Sequence, residues 1–317
     1  METSKEEVKT LQNKIDFAVI FSVNGANPNG DPLYGNRPRT NYDGLGEVSD
    51  VCIKRKIRNR LMEKGQTIFV QSDDNKIDGY KNLRERQKNE LKSNPEDQQI
   101  FKEEACKKWI DVRSFGQVFA FKGKKGKKKN KPDQSDDANV SDSEAGVSLG
   151  IRGPVSIHPA FSLSSITSRI NSQQIVKSTS YEGDGIKRQP DQMGMKHRVD
   201  HGVYKFYGAI NPQLASKTWF TDDDAKAIKN ALEHLFDNDA SSARPEGSME
   251  VVAVFWWQHN NPSGQYSSAV VHRSLNIVPQ EGIADPQKIE DYSLKLKDLS
   301  GLEPKIFNPN NIEIERT

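Results

Sequence analysis

The apolar residues of this chain fall into short periodic runs set between long polar stretches. In IDFAVIFSV (15–23), Ile15, Phe17, Val19, Phe21 and Val23 alternate with their neighbours, a period of two that predicts a strand with one buried face. In VSDVCIKRKIRNRLMEKG, Ile53, Ile57 and Leu61 recur every four residues and predict a helix over 49–63. Ser49 suits its cap, Asp50 its positive end and Gly65 its stop. From Tyr80 to Ile110 the period is helical again, broken at Asn94-Pro95. Ser93 or Asn94 is expected to cap the second helix, with Ile100, Phe101, Ala105 and Trp109 facing a core. VYKFYGAI (203–210) predicts a strand with Tyr204, Phe206 and Ile210 on one face. TDDDAKAIKNALEHLF (221–236) predicts a helix capped by Thr221, with Ile228, Ala231, Leu232 and Leu235 along one side. MEVVAVFWW (249–257) and SAVVHRSLNIV (268–278) read as strands joined through NNPSGQ.

Strand, helix, strands, helix, strand is the order of a split β-α-β fold of the α+β class. Its pieces are 15–23, 49–63, about 149–157, 202–211, 221–236 and 249–258, interrupted by long insertions near 66–148 and 160–200. No internal repeat is evident, and the net-acidic segment from Pro279 onward reads as an appended tail.

Composition narrows the function classes. Hydrophobic residues are 34% of the 317 and charged residues 28%, with a mean hydropathy of −0.79. That is enough apolar material for a core, with much of the length left in loops. The net charge is only +2, so binding to nucleic acid requires local concentration of charge. Cys52 and Cys106 can make neither a disulfide framework nor a four-thiolate zinc site. METSKEEVKT lacks an apolar signal core, and no apolar run approaches the ~20 residues of a membrane span, so a cytoplasmic protein without membrane contact is expected. No cofactor is indicated. KGKKGKKKNK (122–131) holds seven lysines in ten positions and is followed by an acidic, small-residue stretch; 122–146 reads as a disordered insertion.

Local charge is concentrated near the N-terminal strand. NPNGDP (27–32) and the LYGNRPR after it spend far more turn chemistry than a hairpin needs. Gly25, Gly30 and Gly35 permit positive φ and close approach of the backbone to a ligand, consecutive turn amides can form an anion nest, and Arg37 and Arg39 add bidentate forks. The next helix carries Lys54, Arg55, Lys56, Arg58 and Arg60 within seven positions, a spacing at which like charges repel, so this face is expected to meet an anion such as a phosphate backbone. In DVRSFGQVF (111–119), Arg113 and Phe115 lie beside Gly116 in a way that suits gripping a single strand; the other reading is Phe115 in the core and Arg113 a surface charge. Arg152 in GIRGPV is similar. Met193, Lys196, His197 and Arg198 set an apolar wedge beside cations. His197 and His201 have the i,i+4 spacing of metal ligands but lack a third ligand, so no metal is expected. Asp31 is either a turn residue before Pro32 or a carboxylate near a phosphate path.

Together NGANPNGDPLYGNRPR, VSDVCIKRKIRNRL, DVRSFGQVF, IRGPV, QMGMKHRVDHGVYKFYG and ASSARPEGSMEVVAVFWWQHNN, in this order from about residue 14 to 278, resemble the backbone subunit of type I-C CRISPR surveillance (Cascade) complexes. The resemblance implies an RNA-recognition-motif-like, ferredoxin-like palm with inserted finger and thumb elements. The palm would comprise 14–65, 149–160 and 201–278, the fingers 66–121 and the thumb 160–200, with 279–317 as the tail. It implies a non-enzymatic subunit that binds CRISPR RNA, stacks with other copies of itself into a helical filament, and presents the guide to target DNA beside guide-processing, large and small subunits. Guide contacts are then expected at Asn27, Asn29, Arg37, Arg39, Lys54, Arg55, Arg58, Arg113, Phe115, Arg152, Met193, Lys196 and His197. The lysine run departs from the short connection of the family; Lys124, Lys125, Lys127, Lys128 and Lys129 are its candidate DNA contacts. The alternative is a type III-like RNA endonuclease backbone subunit using Asp31, since those relatives cut RNA with a loop aspartate.

Overall fold

The computed structural model describes residues 9–94, 96–121, 147–177 and 192–317. The lysine-rich stretch and residues 178–191, within the segment expected to be a thumb, therefore lie outside the described residues. The chain opens with β1 (Ile15–Ala26), a small hairpin of β2 (Gly30–Asp31) and β3 (Arg37–Pro38), then β4 (Leu45–Val48) and α1 (Asp50–Glu63). Three helices follow: α2 (Leu83–Glu90), α3 (Gln98–Lys108) and α4 (Ile110–Phe115). The strands β5 (Gly116–Phe121), β6 (Val147–Arg152), β7 (Val155–Ile157), β8 (Ala160–Ser165), β9 (Ile170–Lys177) and β10 (Gln192–Ile210) come next. The last part holds α5 (Pro212–Thr218), α6 (Asp222–Glu233), β11 (Met249–Gln258), α7 (Ser268–Arg273), β12 (Leu275–Pro279), β13 (Tyr292–Leu296), β14 (Pro304–Phe307) and β15 (Ile314–Arg316).

The main sheet runs β14-β11-β1-β10-β8-β4, with β7 and β9 also paired to β10. Every pairing in it is antiparallel. β1 lies at its centre, and the alternation in its sequence separates two cores. Phe17, Val19, Phe21 and Val23 point into the larger core with Ile53, Ile57 and Leu61 of α1 and Ile228 and Leu232 of α6. Ala18 and Ile20 point the other way, into a second core with Val271 of α7 and the small sheet β12-β13-β15. So β1 is buried on both faces rather than one, because the C-terminal segment covers the side the sequence reading left to solvent. Phe17 lies directly over Gly208 of β10: a Cβ there would sit 2.2 Å from the ring.

The helix ends follow their sequence signals. Ser49 Oγ accepts from the Cys52 amide, and Thr221 with Asp224 forms a capping box. Three expectations are corrected. Residues 268–273 are helix rather than strand: Ser267 caps them, accepting from the Val270 amide, and Val271 is buried. The cap of α3 is Asp97 rather than Ser93 or Asn94, and this rotates Ile100 outward, to 55% exposure. Residues 279–317 do not trail off: β13 and β15 build the small sheet and β14 closes one edge of the main one. Of the inserted helices, α3 and α4 pack with the β5–β6 ribbon around a third core of Phe69, Phe101, Trp109 and Phe119. Among the described residues no helix is long and apolar enough to cross a membrane.

Candidate nucleic-acid interface

The proline-glycine loop is held from inside. Gly25 and Gly35 take positive φ, +64° and +63°. Gly30 lacks a Cβ where one would press the Asn36 carbonyl at 2.9 Å. Asn27, buried, donates to the Asn36 carbonyl at 2.6 Å, and Asn29 Oδ1 accepts from the amide and hydroxyl of Ser49 at 3.0 Å each. The two asparagines expected at the guide thus fasten the loop to itself and to the cap of α1. Outward from this frame stand Arg37, exposed, and Arg39, 3.6 Å from Asp31.

The basic face of α1 is not bare. The two ends of α1 supply Asp50 and Glu63, and the fold brings further carboxylates from distant segments. Lys54 pairs with Asp50 at 2.9 Å, the buried Lys56 with Asp239, and Arg60 with Glu63. Arg58 reaches the buried Asp111 at 2.9 Å and lies 5.1 Å over the Phe115 ring. Arg55 donates to the Val70 carbonyl at 2.7 Å. Burial of Lys56 pulls its ammonium below the usual lysine range, and Asp239 opposes that pull. Arg113 holds both oxygens of Asp224, at 2.7 and 3.0 Å, and Phe115 packs half-buried on the main core. Arg58, Arg113 and Phe115 therefore brace the inserted helices against the sheet.

Two of the chosen cations do meet. Lys54 and Arg152 line one open cleft of about 550 Å³, together with Lys14, which sequence reasoning passed over. The rest of its wall includes Ser156, Asn211, Gln213, Ser263 and Ser268, with no carboxylate and no aromatic ring among the lining residues. Lys14 is fixed from behind by the fully buried Asp16 at 3.1 Å. The carboxylate of Asp16 also accepts a hydrogen bond from His259 Nε2–H at 2.8 Å, while His259 Nδ1 accepts from the Gln265 amide at 2.9 Å, which fixes the orientation of the ring. Desolvation pushes the Asp16 carboxyl up, but its hydrogen bonds to His259, Ser268 and Lys14 outweigh that and hold it below the usual range. Arg152 is exposed and has no acidic partner among the described residues.

The third group lies on the β9–β10 ribbon. Its register sets Val176 opposite Met193 and Ser172 opposite His197. Met193, Met195 and Val176 share a face and are 62%, 53% and 59% exposed, whereas Val199 and Ile170 at the base of that face join the main core. Lys196 points to the other face. His197 Nδ1 is 2.7 Å from Ser172 Oγ.

The sequence model of the family described as CRISPR-associated protein Cas7 matches residues 13–297. The chain belongs to this Cas7 family. A CRISPR-associated protein Cas7 of Haloferax volcanii is 23% identical over 241 residues, which are 74% of this chain and 67% of that protein. Two solved structures are similar at a distance. A chain of a "CRISPR RNA-guided surveillance complex" has a TM-score of 0.41 and 13% identity, covering 96% of this chain and 94% of that one. A chain of a "CRISPR RNA-guided surveillance complex, pre-nicking" has a TM-score of 0.40 and 14% identity, covering 77% and 78%.

In this Cas7-family chain Asp31 is a turn residue. It caps the short 3-10 turn after β2, accepting from the Leu33 amide at 3.0 Å, with Arg39 on its other side. His201 is buried and bonded through Nδ1 to Asn24 Oδ1 at 2.8 Å, so it is not presented as a metal ligand beside His197. Among the described residues no three His, Cys, Asp or Glu side chains are grouped to hold a metal ion. Lys14, Met195 and Val176 were not singled out in the sequence; their signal is positional, Lys14 ending the segment before β1, Val176 standing opposite Met193 and Met195 lying two residues along the same strand.

Proposed function

We propose that this Cas7-family chain is a non-enzymatic, CRISPR-RNA-binding backbone subunit of a type I-C surveillance complex. Copies of it line up along the guide spacer as a helical filament and present the guide for pairing with target DNA. Its other partners are the guide-processing, large and small subunits of the complex. The observation that carries the reading is the cleft of Lys14, Lys54 and Arg152, where three cations from distant segments share a wall free of carboxylates. Cations without an aromatic platform suit a phosphate backbone read for charge and shape, with sequence left to base pairing.

The palm in this reading is RNA-recognition-motif-like. Its support is the antiparallel order β11-β1-β10-β7/β8 with α1 and α6 packed on one face. The α2–α4 insertion serves as fingers and the β9–β10 ribbon as thumb, its exposed methionines acting as a wedge between bases. Arg37 and Arg39 add phosphate contacts from the loop. The lysines at 124–129 remain candidate DNA contacts. Asp31, engaged as a cap, takes no catalytic role.

The test is an incubation of the assembled complex with RNA complementary to its guide and Mg²⁺. Intact RNA is expected. Regularly spaced cuts that vanish in Asp31→Ala would instead make the chain an endonuclease of the type III kind.

A further inference from the structure

The side chains that carry positive charge into this fold mostly end on carboxylates: Lys56 on Asp239, Arg58 on Asp111, Arg86 on Asp78, Arg113 on Asp224 and Arg169 on Asp285. Lys205 of β10 does not. It is half-buried, makes no side-chain hydrogen bond or ion pair among the described residues, and has as its closest charge-related contact the ring of Tyr207, 5.3 Å from Nζ. Burial alone pulls its ammonium below the usual lysine range. A partly desolvated cation without a counter-charge is costly, and proteins keep one where a ligand supplies the charge.

The surroundings say which ligand. In the β8–β10 register Phe161 stands directly opposite Lys205, so both side chains rise from the same face of the sheet. That face is opposite α1 and α6: Tyr207 and Leu163, at the same parity, pack on the second core. The C-terminal sheet and α7 cover most of it, but Phe161 at its uncovered end is 38% exposed. Tyr207 is backed by His272, stacked at 4.5 Å and 12°, and the exposed His158 meets His272 edge-on at 5.7 Å. Glu47 flanks Phe161 on the side away from Lys205, so an anion is admitted at the lysine and opposed beyond the phenylalanine. An open aromatic next to an uncompensated cation, on a rigid strand pair, matches a stacked base with its phosphate.

We propose that Phe161 and Lys205 form a contact for single-stranded nucleic acid, one base stacking on Phe161 and an adjacent phosphate taking Lys205. This rests on the reading of the chain as an RNA-binding subunit and adds a strip on the sheet face opposite the basic helix.

The test measures binding of the full chain to labelled oligouridylate and oligothymidylate of equal length over a range of salt. Phe161→Ala is expected to weaken binding roughly tenfold with the salt slope unchanged, and Phe161→Tyr to restore it. Lys205→Met is expected to flatten the salt slope by about one, and Lys205→Arg to restore it. Loss toward the ribo-oligonucleotide assigns the strip to RNA, and loss toward the deoxy-oligonucleotide alone assigns it to DNA. Unchanged affinity of Phe161→Ala and Lys205→Met for both, in a chain whose wild type binds RNA, overturns this inference and leaves the proposed function standing. A wild-type chain that binds neither overturns both.

Discussion

Arg58 of α1 and Asp111 of α4, 53 positions apart, form an ion pair at 2.9 Å that fastens the inserted helices to the sheet layer. Asp111 is fully buried, and its two oxygens also accept from the Phe69 and Val70 amides at 2.7 and 3.0 Å. Removing it would leave a cation and two amides without partners. Asp111→Ala is expected to cost about 3–5 kcal/mol, read as a lower urea midpoint. Arg58→Ala is expected to destabilise as well, so a weaker RNA complex in that variant reports folding as much as contact. An unchanged midpoint in both would refute the brace.

The phosphate contacts are better tested in the cleft. Lys14→Ala, Lys54→Ala and Arg152→Ala are each expected to weaken RNA binding about equally for unrelated guide sequences. Each should flatten the dependence of log affinity on log salt by about one. Discrimination between guides would show that the cleft reads bases.

The ribbon separates stability from function. Met193 and Met195 are exposed, so replacing both by Ser should leave stability within about 0.5 kcal/mol. The same variant is expected to change which guide bases in an assembled complex react with a base-specific chemical probe. An unaltered reactivity pattern would remove the wedge from the account.

Acid stability follows from two buried histidines. Burial is the main cause that lowers both His201 and His272 below the usual 6.5. Arg169 adds to the effect at His201, whereas Asp16 opposes it at His272. With depressed folded values, the unfolded chain binds more protons as the pH falls through about 6.5. Stability is therefore fully present above that pH and declines below it, by up to about 1.4 kcal/mol per pH unit for each histidine. His272→Gln should lessen the slope between pH 6.5 and 5, measured by urea unfolding; a wild-type chain with no slope there contradicts the assignment.

Some of this was legible in the residues and some was not, for physical reasons. Ile53, Ile57 and Leu61 and the Ser49 cap located α1 because a helix buries one stripe and closes its first turn locally. Thr221 and Asp224 did the same for α6. SAVVHRSLNIV deceived because six residues are too few for a period, and the cap at Ser267 outweighs two adjacent valines. The cover over Ala18 and Ile20 was invisible because it comes from strands more than 250 positions away. The partners of Lys56 and Arg58 were invisible for the same reason: Asp239 and Asp111 are their neighbours only in space, unlike the local pairs Asp50–Lys54 and Arg60–Glu63. The bonds of Asn27 Nδ2 to the Asn36 carbonyl and of Asn29 Oδ1 to Ser49 were also invisible, because they depend on how the loop closes.

The most direct measurement is the mass and RNA content of the protein purified after expression with a CRISPR array and its partner subunits. A large particle holding one discrete guide-length RNA and several copies of this chain is the predicted result. A small species without RNA, or with RNA of every length, would contradict the filament role.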